Sequence, residues 1–419
     1  MAKAGAEVRA AAVSAMTSVT EDGRLLSDVL PRVTADFEPA DRARVGRLAT
    51  SALRWSGRSD RLLGPHLRLK PEDRVLNALR LAIFEIFVDG APDHAAVDGA
   101  VSLTSRSKMG LVNGVLRNVL RKGTNWDELP LPGLPKWLRK RFSKDWGKEA
   151  VAEMEAVYAA NPPLDLTLKN AEDAAAWAKT LDADLRPDGG LRLKTFGQVS
   201  QLPGYSDGAW WVQDAGASVA ARLLHPAPGE RVLDLCAAPG GKALQLAAAG
   251  AEVTALDVSK DRMKRVAENS ARTGLAAELI TADALEWTPP APFGAILLDA
   301  PCSASGTLRR HPDLAHARDG SGIDALVDLQ AKLLDRAVDW LAPDGRLVYC
   351  TCSLFPEEGE NQIGAALARH PHLSLSRPEA PWIDPKWCAT EGGLRLRPDH
   401  WAEIGGIDGF FVAMLEKRS

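Results

Sequence analysis

The sequence contains few cysteines, and this scarcity excludes a disulfide-stabilised fold. Five cysteines in 419 residues are too few for a disulfide scaffold, so reduced thiols are expected. Cys350 and Cys352 form a C-x-C pair without a second cysteine pair or a histidine cluster, which argues against a zinc site. We therefore expect no bound metal.

Long apolar runs are also absent from the chain. No run reaches the roughly 18 residues that a membrane helix needs. The first twenty residues carry Glu7 and Arg9 in an alanine-rich pattern, which differs from the basic-then-apolar layout of a signal peptide. We expect a cytoplasmic protein without a membrane partner, and we expect it to be a monomer.

The net charge of −4 is unevenly distributed. Residues 1–148 hold 25 Lys and Arg against 17 Asp and Glu, whereas residues 149–419 hold 26 against 38. Cationic side chains neutralise the phosphates of nucleic acids. The amino-terminal part is therefore where contacts with a nucleic-acid backbone are expected.

Apolar residues recur at helical spacing in the first part of the chain, as at Leu76, Leu79 and Ile83. This spacing predicts an all-helical domain in residues 1–122. Gly and Pro are then frequent in residues 123–135, which indicates a linker.

A basic segment with interleaved aromatic residues completes this linker region, which spans residues 123–148 and ends in KWLRKRFSKDWGK. Basic groups neutralise phosphates and aromatic rings stack on bases, so the segment is a candidate RNA contact. An amphipathic helix whose charges are merely solvated explains the same pattern equally well. The candidate RNA-binding residues are Lys136, Arg139, Lys140 and Arg141.

The rest of the chain predicts two α/β arrangements. In residues 149–212, strand-like pieces at 164–168 and 191–193 surround a helical stretch at 171–181, which predicts a small α+β RNA-binding subdomain. In residues 213–419, apolar strands alternate with helical segments, which predicts a doubly wound, mostly parallel, Rossmann-like sheet. Ligands of such sheets bind at the carboxyl ends of the strands.

A glycine-rich segment follows the first of these strands and fits a cofactor site. Glycines let the backbone approach a ligand at a helix N-terminus, and this helix is predicted to start near Ala243. The next two predicted strands end at Asp257, which can accept from ribose hydroxyls, and at Asp283, which can accept from an adenine amino group. Neither G-x-G-x-x-G nor a Walker motif is present, so S-adenosylmethionine fits better than a dinucleotide or a nucleoside triphosphate. The predicted cofactor loop consists of Cys236, Ala237, Ala238, Pro239, Gly240, Gly241 and Lys242.

Two cysteines follow the fourth and fifth predicted strands. Asp299 and Cys302 belong to the sequence DAPCS, and Cys352 belongs to TCS, which is followed by PEE. Both thiols are expected beside the cofactor. A thiolate that attacks C6 of cytosine makes C5 nucleophilic, so Cys352 or Cys302 is a candidate nucleophile. Asp299 is a candidate to hold the N3 or amino edge of the base.

Three motifs, CAAPGGK, DAPCSASGTLRRHPDL and YCTCSLFPEE, resemble those of the RNA 5-methylcytosine methyltransferases of the NOL/NOP/Sun family. The segments 92–97 and 111–117 are similar to the NusB-like RNA-binding domain that few members of this family carry. The resemblance covers nearly the whole chain. It implies that the substrate is a cytosine in small-subunit ribosomal RNA.

The resemblance also implies individual roles. Cys352 would be the nucleophile and Cys302 would promote product release, while Asp299 would join Asp257 and Asp283 among the cofactor contacts. Two alternative functions stay open at this point: the same chemistry on transfer RNA, and an inactive factor of ribosome assembly that only binds ribosomal RNA.

Arg309 and Arg310 lie next to the first thiol loop in the sequence. They are candidates to grip the phosphates that flank a flipped-out cytosine. The alternative is a structural arginine pair that fixes the loop against the acidic segment around Asp313.

Overall fold

The computed structural model describes residues 2–123, 125–389 and 392–418, and the chain divides into two compact units. The first unit comprises Met1–Ala160 together with Leu308–Gly320, and the second comprises Asn161–Thr307 with Ser321–Ser419. The boundaries predicted at residues 122, 148 and 212 stay predictions.

The first unit is helical, as the spacing of its apolar residues predicts. Leu76, Leu79 and Ile83 are all buried in its core, which forms because helical residues three and four apart share one face. Gly123 ends the seventh helix with a φ of +62°, the left-handed conformation that glycine adopts without steric cost. Its first nine helices are α1 (Ala2–Thr20), α2 (Leu26–Val33), α3 (Pro39–Arg54), α4 (Ser56–Leu63), α5 (Asp73–Phe87), α6 (Asp93–Ser102), α7 (Arg106–Lys122), α8 (Lys136–Trp146) and α9 (Lys148–Ala159).

The second unit begins with a small antiparallel sheet, which confirms the predicted α+β arrangement. Its strands are β1 (Leu164–Leu168), β2 (Asp184–Leu185), β3 (Leu191–Leu193) and β4 (Trp210–Val212), in the order β2-β3-β1-β4, with helix α10 (Ala174–Leu181). Asp165 and Arg192 lie opposite each other in β1 and β3, and their buried side chains form two hydrogen bonds of 2.6 and 2.7 Å. The sequence pattern does not reveal β2 and β4, which are only two and three residues long.

An eight-stranded sheet forms the core of the second unit. Its order is β10-β12-β9-β8-β5-β6-β7, and β11 pairs with β12. The pairs from β7 to β9 are parallel, as predicted, whereas β12 lies antiparallel between β9 and β10. The strands are β5 (Arg231–Leu235), β6 (Glu252–Asp257), β7 (Glu278–Thr281), β8 (Phe293–Asp299), β9 (Leu341–Thr351), β10 (Leu373–Ser376), β11 (Leu394–Leu396) and β12 (Phe410–Lys417).

Helices connect the parallel strands, and this arrangement brings the carboxyl ends of β5, β6, β8 and β9 to one edge of the sheet. No helix within the described part of the chain is long and apolar enough to span a membrane. The remaining helices are α11 (Ala215–Leu224), α12 (Gly241–Ala248), α13 (Lys260–Thr273), α14 (Leu314–Ala317), α15 (Ile323–Trp340) and α16 (Glu360–Arg369).

Candidate active site

The glycine-rich loop turns sharply between β5 and α12. Cys236 has a φ of +65° and Gly240 has a φ of +101°, a conformation that favours glycine. A Cβ atom at residue 240 would lie 3.0 Å from Cγ1 of Val266, so the close packing also requires glycine. Helix α12 begins at Gly241, two residues before the predicted start, and its first backbone N–H groups have no partner within the helix.

Two predicted acidic residues stand at the carboxyl ends of neighbouring strands. Asp257 ends β6, is buried, and accepts hydrogen bonds from the backbone N–H groups of Ala238 at 3.2 Å and Ser259 at 2.8 Å. Strand β7 ends at Thr281, two residues before the predicted end. Asp283 is exposed just beyond the strand, and its carboxylate accepts from the N–H of Leu285 at 2.9 Å. Carboxylates at these strand ends and N–H groups at a helix N-terminus suit the hydroxyl, amino and carboxylate groups of S-adenosylmethionine.

Lys242 is buried and forms an ion pair at the end of β8 with Asp299, which is partly exposed. Its Nζ lies 2.7 Å from Oδ2 of Asp299. Burial alone would lower the pKa of Lys242, but the carboxylates of Asp299 and Asp234 outweigh burial and raise it. Lys242 therefore stays charged. Asp234, inside β5, is fully buried, and burial raises its pKa to about 8 although Lys242 opposes the rise.

The two predicted thiols meet at the ends of the adjacent parallel strands β8 and β9. Sγ of Cys302 lies 3.3 Å from Sγ of Cys352, and both cysteines are reduced. The backbone carbonyl of Cys352 accepts from the N–H of Gly306 at 2.9 Å, which ties the two loops together. The hydrogen bond with Cys352, followed by burial, raises the pKa of Cys302 well above the usual thiol value. Cys302 is therefore a protonated thiol that can donate to the sulfur of Cys352.

Cys350, the other member of the C-x-C pair, does not join this thiol pair. It is buried within β9, and its Sγ lies 3.4 Å from Oδ1 of Asp299. Burial, and then the charge of Asp299, raises its pKa well above the usual value. Across the ranges that the structure describes, no group of three or more His, Cys, Asp and Glu side chains could hold a metal ion.

The environment of Arg309 does not suit a contact with a phosphate. The side chain of Arg309 is 0% exposed, and its backbone carbonyl accepts from Arg54 at 2.8 Å. A fully buried arginine has no face open to a phosphate, so this burial favours the structural alternative, and the phosphate contact of Arg309 stays a prediction. Arg310 is only partly buried, and its contact with a phosphate stays a prediction. Asp313 helps to fix this segment, because its carboxylate accepts from the N–H of Leu26 at 2.9 Å.

The basic segment predicted to contact RNA forms helix α8. Lys136, Lys140 and Arg139 are exposed, whereas Arg141 is half-buried. Arg139 is also held by Glu155, at 2.9 Å. Lys136 and Lys140 are four residues apart and therefore lie on one face of the helix.

The sequence patterns do not predict two buried acidic residues of the site. Asp234 lies in an apolar strand, where the sequence VLDL indicates only an alternation of apolar and polar residues. Glu358 belongs to the PEE segment and contacts Ser303 and Ser353, one in each thiol loop. The only available signal for Glu358 is its position six residues after Cys352.

The doubly wound sheet and the groups at its strand ends define a Rossmann-like methyltransferase domain. A family model described as 16S rRNA methyltransferase RsmB/F matches residues 221–416, and a NusB family model matches residues 6–121. The chain is 36% identical to ribosomal RNA small subunit methyltransferase B from Klebsiella pneumoniae, with 99% of both chains covered. It is 37% identical to the protein of that name from Pseudomonas putida, with 98% of both covered.

The fold is also that of a solved structure. The crystal structure of PH0851 superposes with a TM-score of 0.75 at 25% identity and covers 98% of this chain and 99% of that one. The likeness to the curated relatives extends over nearly the full length of both sequences. The chain belongs to the RsmB/F family of S-adenosylmethionine-dependent methyltransferases, and it carries the NusB domain.

Proposed function

We propose that this enzyme transfers a methyl group from S-adenosylmethionine to C5 of a cytosine in small-subunit ribosomal RNA, through a covalent bond between Cys352 and C6. The observation that carries the proposal is the 3.3 Å contact between the sulfurs of Cys302 and Cys352 at the ends of β8 and β9. Asp299 begins the Cys302 loop and pairs with Lys242, so a charged polar group stands three residues before the thiol.

The first step is attack by the thiolate of Cys352. The S–C6 bond forms, and the electron pair of the C5–C6 double bond moves so that C5 becomes nucleophilic. Asp299 holds the N3 or amino edge of the cytosine, and a proton at N3 makes C6 a better electrophile. Lys242 orients Asp299 for this contact.

The cofactor, when bound, supplies an electrophilic methyl group for C5. The residues that would hold it are the loop from Cys236 to Lys242, Asp257 for the ribose hydroxyls and Asp283 for the adenine amino group. The N–H of Ala238, bound to Asp257, keeps this carboxylate at the strand end.

Release of the product reverses the first bond. The C5 proton passes to a base, the C5–C6 double bond re-forms, and the sulfur of Cys352 leaves C6 with the S–C6 electron pair. Cys302, whose raised pKa keeps it protonated, donates a hydrogen bond to the departing thiolate. The loss of this donor slows release more than attack.

Ribosomal RNA as the substrate is supported by the likeness to ribosomal RNA small subunit methyltransferase B over nearly the whole chain and by the NusB match. The exposed lysines of α8 add cationic groups that suit an RNA backbone.

The test is transfer of labelled methyl groups to deproteinised small-subunit rRNA. Cys352→Ala should abolish transfer, Cys302→Ala should accumulate a protein–RNA adduct that survives denaturing electrophoresis, and Cys388→Ala serves as the matched control because Cys388 lies outside the thiol pair. Transfer by Cys352→Ala at the wild-type rate would contradict the assignment of the nucleophile. Methylation of transfer RNA but not of rRNA would exclude rRNA as the substrate and would not contradict the proposed methyl-transfer chemistry.

A further inference from the structure

Glu358 lies between the two thiol loops, although the proposed chemistry uses no carboxylate there. It ends a short 3-10 helix, Pro356–Glu358, and its side chain is 0% exposed. A buried carboxylate is costly unless hydrogen bonds and charge compensate for lost hydration. The neighbours of Glu358 therefore indicate why the chain keeps it.

The carboxylate of Glu358 binds both loops at once. Oε2 accepts from the hydroxyl of Ser303, next to Cys302, and from the hydroxyl of Ser353, next to Cys352, each at 2.5 Å. Oε1 accepts from the backbone N–H of Ser303 at 2.9 Å. Hydrogen bonds to an ionised carboxylate are shorter and stronger than those between neutral groups.

The position of Glu358 is itself fixed from the side of the sheet. Its backbone carbonyl accepts from the hydroxyl of Tyr349 at 2.9 Å and from that of Thr351 at 3.1 Å. Gln330, on α15, donates to Oε1 of Glu358 at 3.0 Å and to the carbonyl of Pro301 at 2.8 Å. The carboxylate is thus a fixed point to which both loops are attached.

The charge of Glu358 also acts on one of the thiols. It is among the causes that raise the pKa of Cys302, after the hydrogen bond with Cys352 and burial. A negative charge at this place disfavours ionisation of Cys302, so the Cys302 thiol stays a hydrogen-bond donor.

We propose that Glu358 is a positioning residue that holds the Cys302 and Cys352 loops together and thereby sets the distance between the two sulfurs. The inference rests on the proposed function only for the roles of the two thiols. The geometry of the pair can be measured without RNA and without methyl transfer.

Phenylarsine oxide is a suitable probe of the distance between the two thiols, because it condenses with two neighbouring thiols, forms two As–S bonds and releases one water. Wild-type protein should bind one equivalent and lose two alkylatable thiols, which peptide mapping should identify as Cys302 and Cys352. Glu358→Gln should raise the dissociation constant of phenylarsine oxide at least about tenfold, because looser loops lower the effective concentration of the second thiol. Glu252→Gln is the matched control, since Glu252 is exposed at the start of β6.

A second variant guards against a folding defect. Ser303→Ala combined with Ser353→Ala keeps the carboxylate but removes its two hydroxyl donors, and it should weaken arsenical binding in the same direction. Circular dichroism and thermal unfolding establish that each variant is folded. Arsenical binding at wild-type strength by folded Glu358→Gln and by the double serine variant would overturn the inference.

Kinetics separate positioning from substrate binding. Glu358→Gln should lower kcat by about 100-fold, as a misplacement of about 1 Å does, with little change in KM for S-adenosylmethionine. Glu358→Asp should restore part of kcat, because it keeps the charge. If the wild type methylates no RNA but its arsenical binding depends on Glu358, the positioning role stands and the proposed function falls.

Discussion

The carboxyl ends of β5, β8 and β9, named here the strand-end crevice, and helix α8 both carry polar groups for which a function is proposed, but they hold these groups in opposite ways. In the crevice, Lys242 and Asp299 are paired at 2.7 Å and the sulfurs of Cys302 and Cys352 are 3.3 Å apart. On α8, Lys136 is exposed and extends into solvent. Bond formation requires reacting groups held within a fraction of an ångström, whereas attraction to phosphates tolerates mobile cations.

The difference teaches where a substitution should act on the rate and where it should act on binding. A change in the crevice removes a fixed group that acts in the transition state, so kcat falls. A change on α8 removes one of several interchangeable charges, so KM for RNA rises and depends more weakly on salt.

The largest effect in this comparison is expected from the ion pair of Lys242 with Asp299. Lys242→Met leaves Asp299 without its cationic partner, so Asp299 is no longer fixed as a partner for the base. We expect kcat for methyl transfer to fall about 100- to 1,000-fold, the usual loss when one preorganised electrostatic partner is removed. Asp299→Asn, of nearly equal size, should cause a loss of similar magnitude.

A surface pair provides the matched control for this prediction. Lys264 and Asp261, on α13, also lie 2.7 Å apart, but both are exposed. Lys264→Met should leave kcat within about twofold, because exposed pairs contribute little. Equal losses of kcat in Lys242→Met and Lys264→Met would contradict the distinction between fixed and mobile groups.

The fold was accessible from the sequence where local patterns determine it. The apolar strands and the polar residues that end them predicted the parallel half of the sheet, and the helical spacing of apolar residues predicted the helices of the first unit. The sequence pattern alone could not pair Asp165 with Arg192, because strand register depends on tertiary packing.

The site was accessible only in part, for the same physical reason. The glycine loop and the thiol loops are local motifs, and the structure brings their residues to one edge of the sheet. The role of Glu358 depends on Ser303, 55 residues earlier in the chain, which no local pattern indicates. Arg309 was a candidate phosphate contact because of its place beside the first thiol loop in the sequence, yet its side chain is fully buried, and burial depends on tertiary packing.

A smaller effect is expected on α8. Lys136, Lys140 and Lys144 are exposed at four-residue intervals and therefore share one face of the helix. Their joint replacement by Ala should raise KM for rRNA about tenfold and lower the slope of log KM against log salt by about 2 to 3, since each phosphate contact contributes roughly 0.7–0.9. Filter binding and initial rates between low and moderate salt measure both quantities.

The charge-preserving variant sharpens this test. Joint replacement of the three lysines by Arg should leave KM and the salt slope near their wild-type values. A fall in kcat with unchanged KM in the Ala variant would contradict a binding role for α8.

The smallest effect on activity is expected from two adjacent arginines that the fold treats differently. Arg310 is partly exposed, so Arg310→Ala should raise KM for rRNA about two- to fivefold, which corresponds to the loss of one phosphate contact, and should leave the melting temperature nearly unchanged. Arg309 is fully buried, so Arg309→Ala should lower the melting temperature by several degrees because it removes packed volume and buried hydrogen-bond donors. Arg309→Ala should change KM less than Arg310→Ala at a temperature where both variants are folded. The reverse pattern, with KM changed mainly by Arg309→Ala, would mean that the buried arginine becomes exposed when RNA binds, and the contrast between fixed and mobile groups would then fail at this position.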